Sequence, residues 1–172
     1  MQLDLVLFNF VNNLANYKLI GWLAIFFAKY LAFFALALLV FIWLGEKQIA
    51  KRWNFAFLTL LSLVLSRGVV VPLIRSFYNR LRPEAVLKNI NVLINHDRDF
   101  SFPSGHASFF FALALAIFYF DKKWGLVYFL IAILVVFSRI VVGVHWPTDI
   151  LFGALIGLLS AFLVRKFLVK GH

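Results

Sequence analysis

Apolar residues in this chain occur in long runs, and the polar ones gather in the short stretches between them. A helix needs about 20 consecutive apolar residues to cross a bilayer. Five runs are read as such spans, over residues 19–44, 55–77, 105–120, 125–144 and 150–166. Lys29 interrupts the first, and Arg67 lies inside the second. The third and fifth are shorter than a full crossing. Both start beside polar motifs, so they are expected to begin below the surface, in a protein-lined pocket where irregular backbone is tolerated. Ahead of the spans, Leu3, Val6, Leu7, Phe10, Val11, Leu14 and Tyr17 recur at helical spacing. Asp4, Asn9, Asn12, Asn13 and Asn16 fall mostly on the opposite face, while Leu5 and Phe8 depart from the pattern. That spacing predicts an amphipathic helix over residues 1–17, lying in the membrane interface. It is not read as a signal peptide, because it lacks a basic start and a small-residue cleavage site. The expected architecture is an all-α integral membrane bundle of five transmembrane helices plus this N-terminal interfacial helix. It forms one domain over residues 1–172, with residues 78–104 as an outward-facing loop.

Composition agrees. The chain is 64% hydrophobic and 14% charged, whereas about a quarter of an average soluble chain is charged. The net charge of +10 suits lipid head groups and membrane orientation better than nucleic acid, for which no soluble surface is available. Lys47, Lys51 and Arg52, then Lys122 and Lys123, then Arg165, Lys166 and Lys170 fall on one side of the spans. The positive-inside rule makes that side cytoplasmic. Residues 78–104 then face outward, although Arg80, Arg82, Lys88 and Arg98 make that loop basic as well. The tryptophans mostly flank span ends, as an aromatic belt should. The 22 phenylalanines are packing and lipid-facing bulk. Without cysteine there is neither disulfide nor thiol chemistry.

Three segments concentrate costly polar groups on one membrane side. The first runs from Arg75 to Arg82 and Pro83, the second is Ser101-Phe-Pro-Ser-Gly-His106, and the third joins Ser138-Arg139 to His145-Trp-Pro-Thr-Asp149. Ionisable groups at membrane depth mark a site by default. Arg75, Arg82 and Arg139 supply planar forks suited to phosphate oxygens. Ser104 and Gly105 open the third span, where free N–H groups and the helix dipole favour an anion. His145 and Asp149 are four residues apart, so one helical turn lets the carboxylate orient the ring and free its other nitrogen. His106 can donate a proton to a leaving oxygen. The set is complete for phosphoryl transfer without a cofactor.

Taken in order, Arg75-x6-Arg82-Pro83, Pro103-Ser104-Gly105-His106 and Ser138-Arg139-x5-His145-x3-Asp149 resemble the three-part signature of the type 2 phosphatidic acid phosphatase superfamily. The resemblance covers the chain from about Arg75 onward. It implies a metal-independent lipid phosphatase in which His145 attacks phosphorus, Asp149 orients it and His106 protonates the leaving group. Arg75, Arg82, Ser104, Gly105 and Arg139 would bind phosphate. The family's first basic position is usually Lys, and Arg75 departs from it. The stretch from Ile94 to Pro103 and the amphipathic start look most like bacterial undecaprenyl diphosphate phosphatases of the bacitracin-resistance type. Those often carry Asp where this chain has Gly105. The expectation is hydrolysis of undecaprenyl diphosphate to undecaprenyl phosphate at the outer face of a bacterial cytoplasmic membrane, with phosphatidylglycerol phosphate or lipid A phosphate as alternative substrates. A membrane lipid phosphate or diphosphate is the only partner implied; nucleic acid and an obligate protein partner are not.

Other readings are weaker. A purely structural His145–Asp149 pair does not explain Arg139 at its spacing. A metal held by His106, His145 and Asp149 would be repelled by three arginines. His96, in the long loop, is a candidate substrate contact, and His172 carries no role. Snorkelling or an internal hydrogen bond accounts for Lys29. For Arg67, two helical turns before Arg75, a structural role is favoured over a role in carrying a second substrate. A lipid or anion transporter lacks support from any inverted repeat or broken-helix pair, and a vanadium-dependent haloperoxidase would not need membrane spans.

Overall fold

The computed structural model describes residues 2–94 and 100–168; among these there is no strand. Helix α1 (Gln2–Asn12) runs into a short 3₁₀ turn (Asn13–Asn16). Helices α2 (Lys18–Lys29) and α3 (Leu31–Gly45) follow, bent by 47° at their junction. The run expected as one span over 19–44 is thus a bent pair, a broken helix that the sequence reading did not find. The bend ends α2 early and leaves the Ala28 carbonyl among the last four, which lack intrahelical partners. Arg139 takes it, Nη1 to oxygen at 3.3 Å.

Next, α4 (Ile49–Leu63), a π segment (Val64–Val70) and α5 (Val71–Phe77) form one continuous helix of 29 residues. The π turn has a local cause. Pro72 has no N–H to donate and its ring crowds the carbonyl one turn back. The Val71 N–H bonds to the Ser66 carbonyl instead, five residues away, the wider spacing of a π-bulge. After the single turn α6 (Pro83–Val86) come α7 (Gly105–Phe120), α8 (Lys122–Val141) and α9 (Pro147–Leu168). Among the described residues, Ile49–Phe77, Lys122–Val141 and Pro147–Phe167 are each long and apolar enough to cross a membrane, and the bent α2–α3 pair is a fourth candidate. Helix α7, with 16 residues, is shorter.

Helix α7 is the centre of the bundle. Ala107, Ala112, Leu113, Ala114, Ala116 and Ile117 are wholly enclosed. In a bilayer, apolar area gives little drive for helix association, so close contact through small residues carries the packing. Helix α9 supplies it. A Cβ on Gly153 would lie 2.5 Å from the Ser104 carbonyl oxygen, and one on Gly157 2.4 Å from that of Ser108. Both α7 and α8 begin with side-chain caps, Ser104 accepting from the Ala107 N–H and Asp121 from the Trp124 N–H, which satisfy otherwise orphaned donors.

The basic turns collect at one end of the bundle. The α3–α4 and α7–α8 connections meet there, with Gly45 and Glu46 facing Asp121 and Trp124 across a shared cleft. Arg165 stacks over the Tyr119 ring at 4.0 Å. At the opposite end converge the C-terminus of α5, the N-terminus of α7, and the turn from α8 to α9.

Candidate active site

The α8–α9 turn is built by a helix-ending device. Gly143 has φ +89°, and a Cβ there would lie 2.4 Å from the Asn91 carbonyl oxygen, so the position suits glycine alone. The Gly143 N–H bonds to the Ile140 carbonyl and the Val144 N–H to that of Arg139, the paired bonds of a Schellman ending. This reversal brings the backbone of Val144 back to that of Arg139 and launches α9 three residues later, while the Arg139 side chain reaches the Ala28 carbonyl of α2.

On the first turn of α9, Asp149 lies under His145. Its Oδ2 accepts from the Trp146 N–H at 2.9 Å and faces His145 Nδ1 at 3.4 Å. His145 is 1% exposed and Asp149 fully buried. The other ring nitrogen, Nε2, faces Arg82 Nη1 at 3.3 Å. That nitrogen of Arg82 also donates to the Val144 carbonyl at 2.7 Å. Carboxylate, imidazole and guanidinium thus stand in a row, with the ring's Nε2 edge turned toward the cation. Asp149 also reaches the second polar segment, its carbonyl accepting from the Ser104 N–H at 3.0 Å. Arg75 donates to the Pro103 carbonyl at 3.1 Å, which ties the end of α5 to the loop opening α7. Arg139 is buried. Gly105 forms the first residue of α7, and half-buried His106 follows it. The structure therefore joins His145, Asp149, Arg82 and Ser104 directly, and holds Arg75 against the loop that precedes Ser104. His96 and His172 lie outside the described residues.

Three residues that the sequence reading did not single out complete the arrangement. Arg80 Nη1 bonds both Asp149 Oδ1 at 2.7 Å and the Thr148 hydroxyl, and its Nη2 pairs with Asp4. Asp4 in turn accepts from the Thr148 N–H at 3.0 Å. Burial works to raise the Asp4 carboxyl, but the hydrogen bonds from Arg80 and Thr148 outweigh it and hold the group below its ordinary value of 3.8. Asp149 thus has each oxygen occupied, one by the ring and backbone side, the other by Arg80. The clamp comes from α1, whose Asp4, Phe8 and Asn12 form the buried row at four-residue spacing. Phe8 packs on Trp146 with ring centroids 5.2 Å apart, and Asn12 holds the Asn91 and Val141 carbonyls. The available signal was Asp4 itself, the one carboxylate of this segment, in register with Phe8 and Asn12.

An imidazole oriented by a carboxylate and facing a guanidinium, near a helix N-terminus, has the chemistry that phosphoryl transfer calls for. Residues 55–171 match the PAP2 superfamily, and the chain belongs to it. It is a membrane phosphatase of the lipid-phosphatase class. The chain is 35% identical over 164 residues to the bacitracin transport permease protein BcrC of Bacillus licheniformis, covering 95% of this chain and 79% of that one. It is 32% identical to the putative undecaprenyl-diphosphatase YbjG of Escherichia coli, covering 99% and 86%. Among solved structures, Aquifex aeolicus LpxE superimposes with a TM-score of 0.75 at 31% identity, over 96% of both chains.

Proposed function

We propose that the protein hydrolyses undecaprenyl diphosphate to undecaprenyl phosphate through a phospho-histidine, without a metal, at the outer face of a bacterial cytoplasmic membrane. The observation that carries the reading is the row Asp149–His145–Arg82. With Nδ1 turned to the carboxylate, Nε2 holds the lone pair and faces the guanidinium that would grip the phosphate. Neutral His145 attacks the distal phosphorus in line, forming an N–P bond as the bond to the bridging oxygen breaks. His106, protonated, supplies a proton to the leaving oxygen, and Arg82, Arg139, Arg75, the Ser104 hydroxyl and the Gly105 amide neutralise the phosphoryl oxygens. Water then cleaves the N–P bond, with His106 as its base, releasing phosphate. The tail stays in the bilayer.

Substrate choice rests on the relatives named above for that activity or for bacitracin. Outward orientation rests on the basic turns at the end opposite the site. The α2–α3 pair, the 29-residue helix, α7, α8 and α9 would make five crossings, with α1 in the interface.

Phosphate release by purified protein in detergent and EDTA tests this, with undecaprenyl diphosphate, phosphatidylglycerol phosphate and lipid A as substrates. Release that persists in EDTA, prefers the diphosphate and vanishes in His145→Ala is the expected result. Preference for either alternative would move the substrate but not the mechanism. Undiminished release by His145→Ala would remove the phospho-histidine.

A further inference from the structure

Arg67 is a cation that this mechanism does not use. It sits on the π segment, near the middle of the 29-residue Ile49–Phe77 helix, where an uncompensated charge is expensive. It has no hydrogen bond or ion pair to any described residue. Its side chain nevertheless does not point away from the site. A Cβ on Gly105 would lie 2.6 Å from Arg67 Nε and 2.9 Å from Cζ, so the guanidinium lies on the bare backbone of the first residue of α7. Arg67, Gly105 and His106 together form one wall of a cavity of about 250 Å³. Ala32 and Leu36 of α3, with Phe109 and Phe110 of α7, form the rest. None of the cavity's lining residues is acidic.

We propose that Arg67 binds the proximal phosphate of a lipid diphosphate, the one that leaves with the tail, and thereby selects diphosphates over monophosphates. The inference rests on the reading above, in which His145 takes the distal phosphate and His106 meets the bridging oxygen. The group attached to that oxygen must then lie on the His106 side, where Arg67 waits, and the prenyl chain continues between α3 and the two phenylalanines. As the bridging P–O bond breaks, its electron pair stays on the proximal phosphate, and the guanidinium stabilises that added charge. A monophosphate ester places only carbon there and gains nothing from Arg67. The π turn matters because it rotates this one residue relative to a regular helix.

The test compares Arg67→Leu and Arg67→Lys with the parent protein on undecaprenyl diphosphate and on phosphatidic acid, whose only phosphate is the terminal monoester. Loss of one charge-assisted contact should lower kcat/KM for the diphosphate roughly ten- to hundred-fold in Arg67→Leu. The monophosphate rate should hold within about twofold, and Arg67→Lys should recover part of the loss. Inhibition supplies a second readout, since methylenediphosphonate should weaken as an inhibitor in Arg67→Leu while orthophosphate does not. Equal losses on both lipids, no loss on either, or unchanged diphosphonate inhibition would overturn the assignment. A parent protein that releases phosphate from no lipid would instead overturn the function on which it rests.

Discussion

Asp149 is braced on one oxygen by Arg80, which Asp4 and Thr148 hold in turn, and this makes its environment testable one side chain at a time. Asp4→Asn keeps the shape of the clamp but removes the charge facing Arg80. Arg80 is then freed to pull on Asp149, so kcat should fall roughly tenfold, the cost of one charge-assisted bond, while KM changes little. Because the Asp4 pKa is depressed in the folded protein, its stabilising contribution is fully present above the ordinary carboxylate range and is lost as pH falls through the lowered value. Thermal unfolding in detergent should therefore show the parent losing more stability than Asp4→Asn below about pH 4, with no difference between their slopes near neutrality. Equal slopes throughout would mean that the Asp4–Arg80 pair is not linked to folding. The two histidines are asked to hold opposite protonation states, so the pH–rate profile should be a bell. His106→Gln should lose one limb of it; an unchanged profile would remove His106 from proton transfer.

Two glycines one turn apart on α9 separate packing from activity at the scale of the element. Gly153 meets the carbonyl of Ser104, the cap that opens α7, whereas Gly157 meets that of Ser108, one turn deeper. Gly153→Ala must push α7 away where Asp149 and Ser104 are bonded, so activity should fall by more than tenfold for a modest drop in melting temperature. Gly157→Ala, with as close an approach, should cost comparable stability and far less activity. Similar activity in the two variants would mean that the α7–α9 spacing is not what registers Ser104. Gly143→Ala carries both a strained φ of about 1–2 kcal/mol and a backbone clash, and should lower stability and activity together.

The molecule as a whole is polarised, with the basic turns at one end and the site at the other, which connects architecture to topology. A chain without cysteine is suited to labelling of single introduced thiols in intact cells. With the site outside, Lys88→Cys should react with a membrane-impermeant maleimide, and Lys123→Cys should react only after lysis. The reverse pattern would put the site in the cytoplasm. Helix α1 belongs to this scale too. Its apolar residues Leu3 and Phe10 are 71% and 72% exposed, while Phe8 is fully covered. The helix therefore presents its regular apolar stripe outward, where lipid would lie, and docks by the row Asp4–Phe8–Asn12.

The sequence by itself determined the class of protein. Runs of apolar residues leave helices as the self-satisfied backbone solution in lipid, and His145 and Asp149 needed only four-residue spacing to share a turn. Phosphate chemistry was legible because arginines and histidines are too costly in such a chain to lack a purpose. What the tertiary structure decided were relations between segments far apart in the chain. Asp4 and Thr148 are separated by 144 residues, and although Asp4 stands in register with Phe8 and Asn12, that local pattern does not say what the row meets. The α2–α3 bend gains meaning from Arg139, more than a hundred residues later. Arg67 read as a structural charge in a span until the π turn and the bare Cα of Gly105 set it beside His106. Helical periodicity reports which residues share a face, but only packing decides what that face meets.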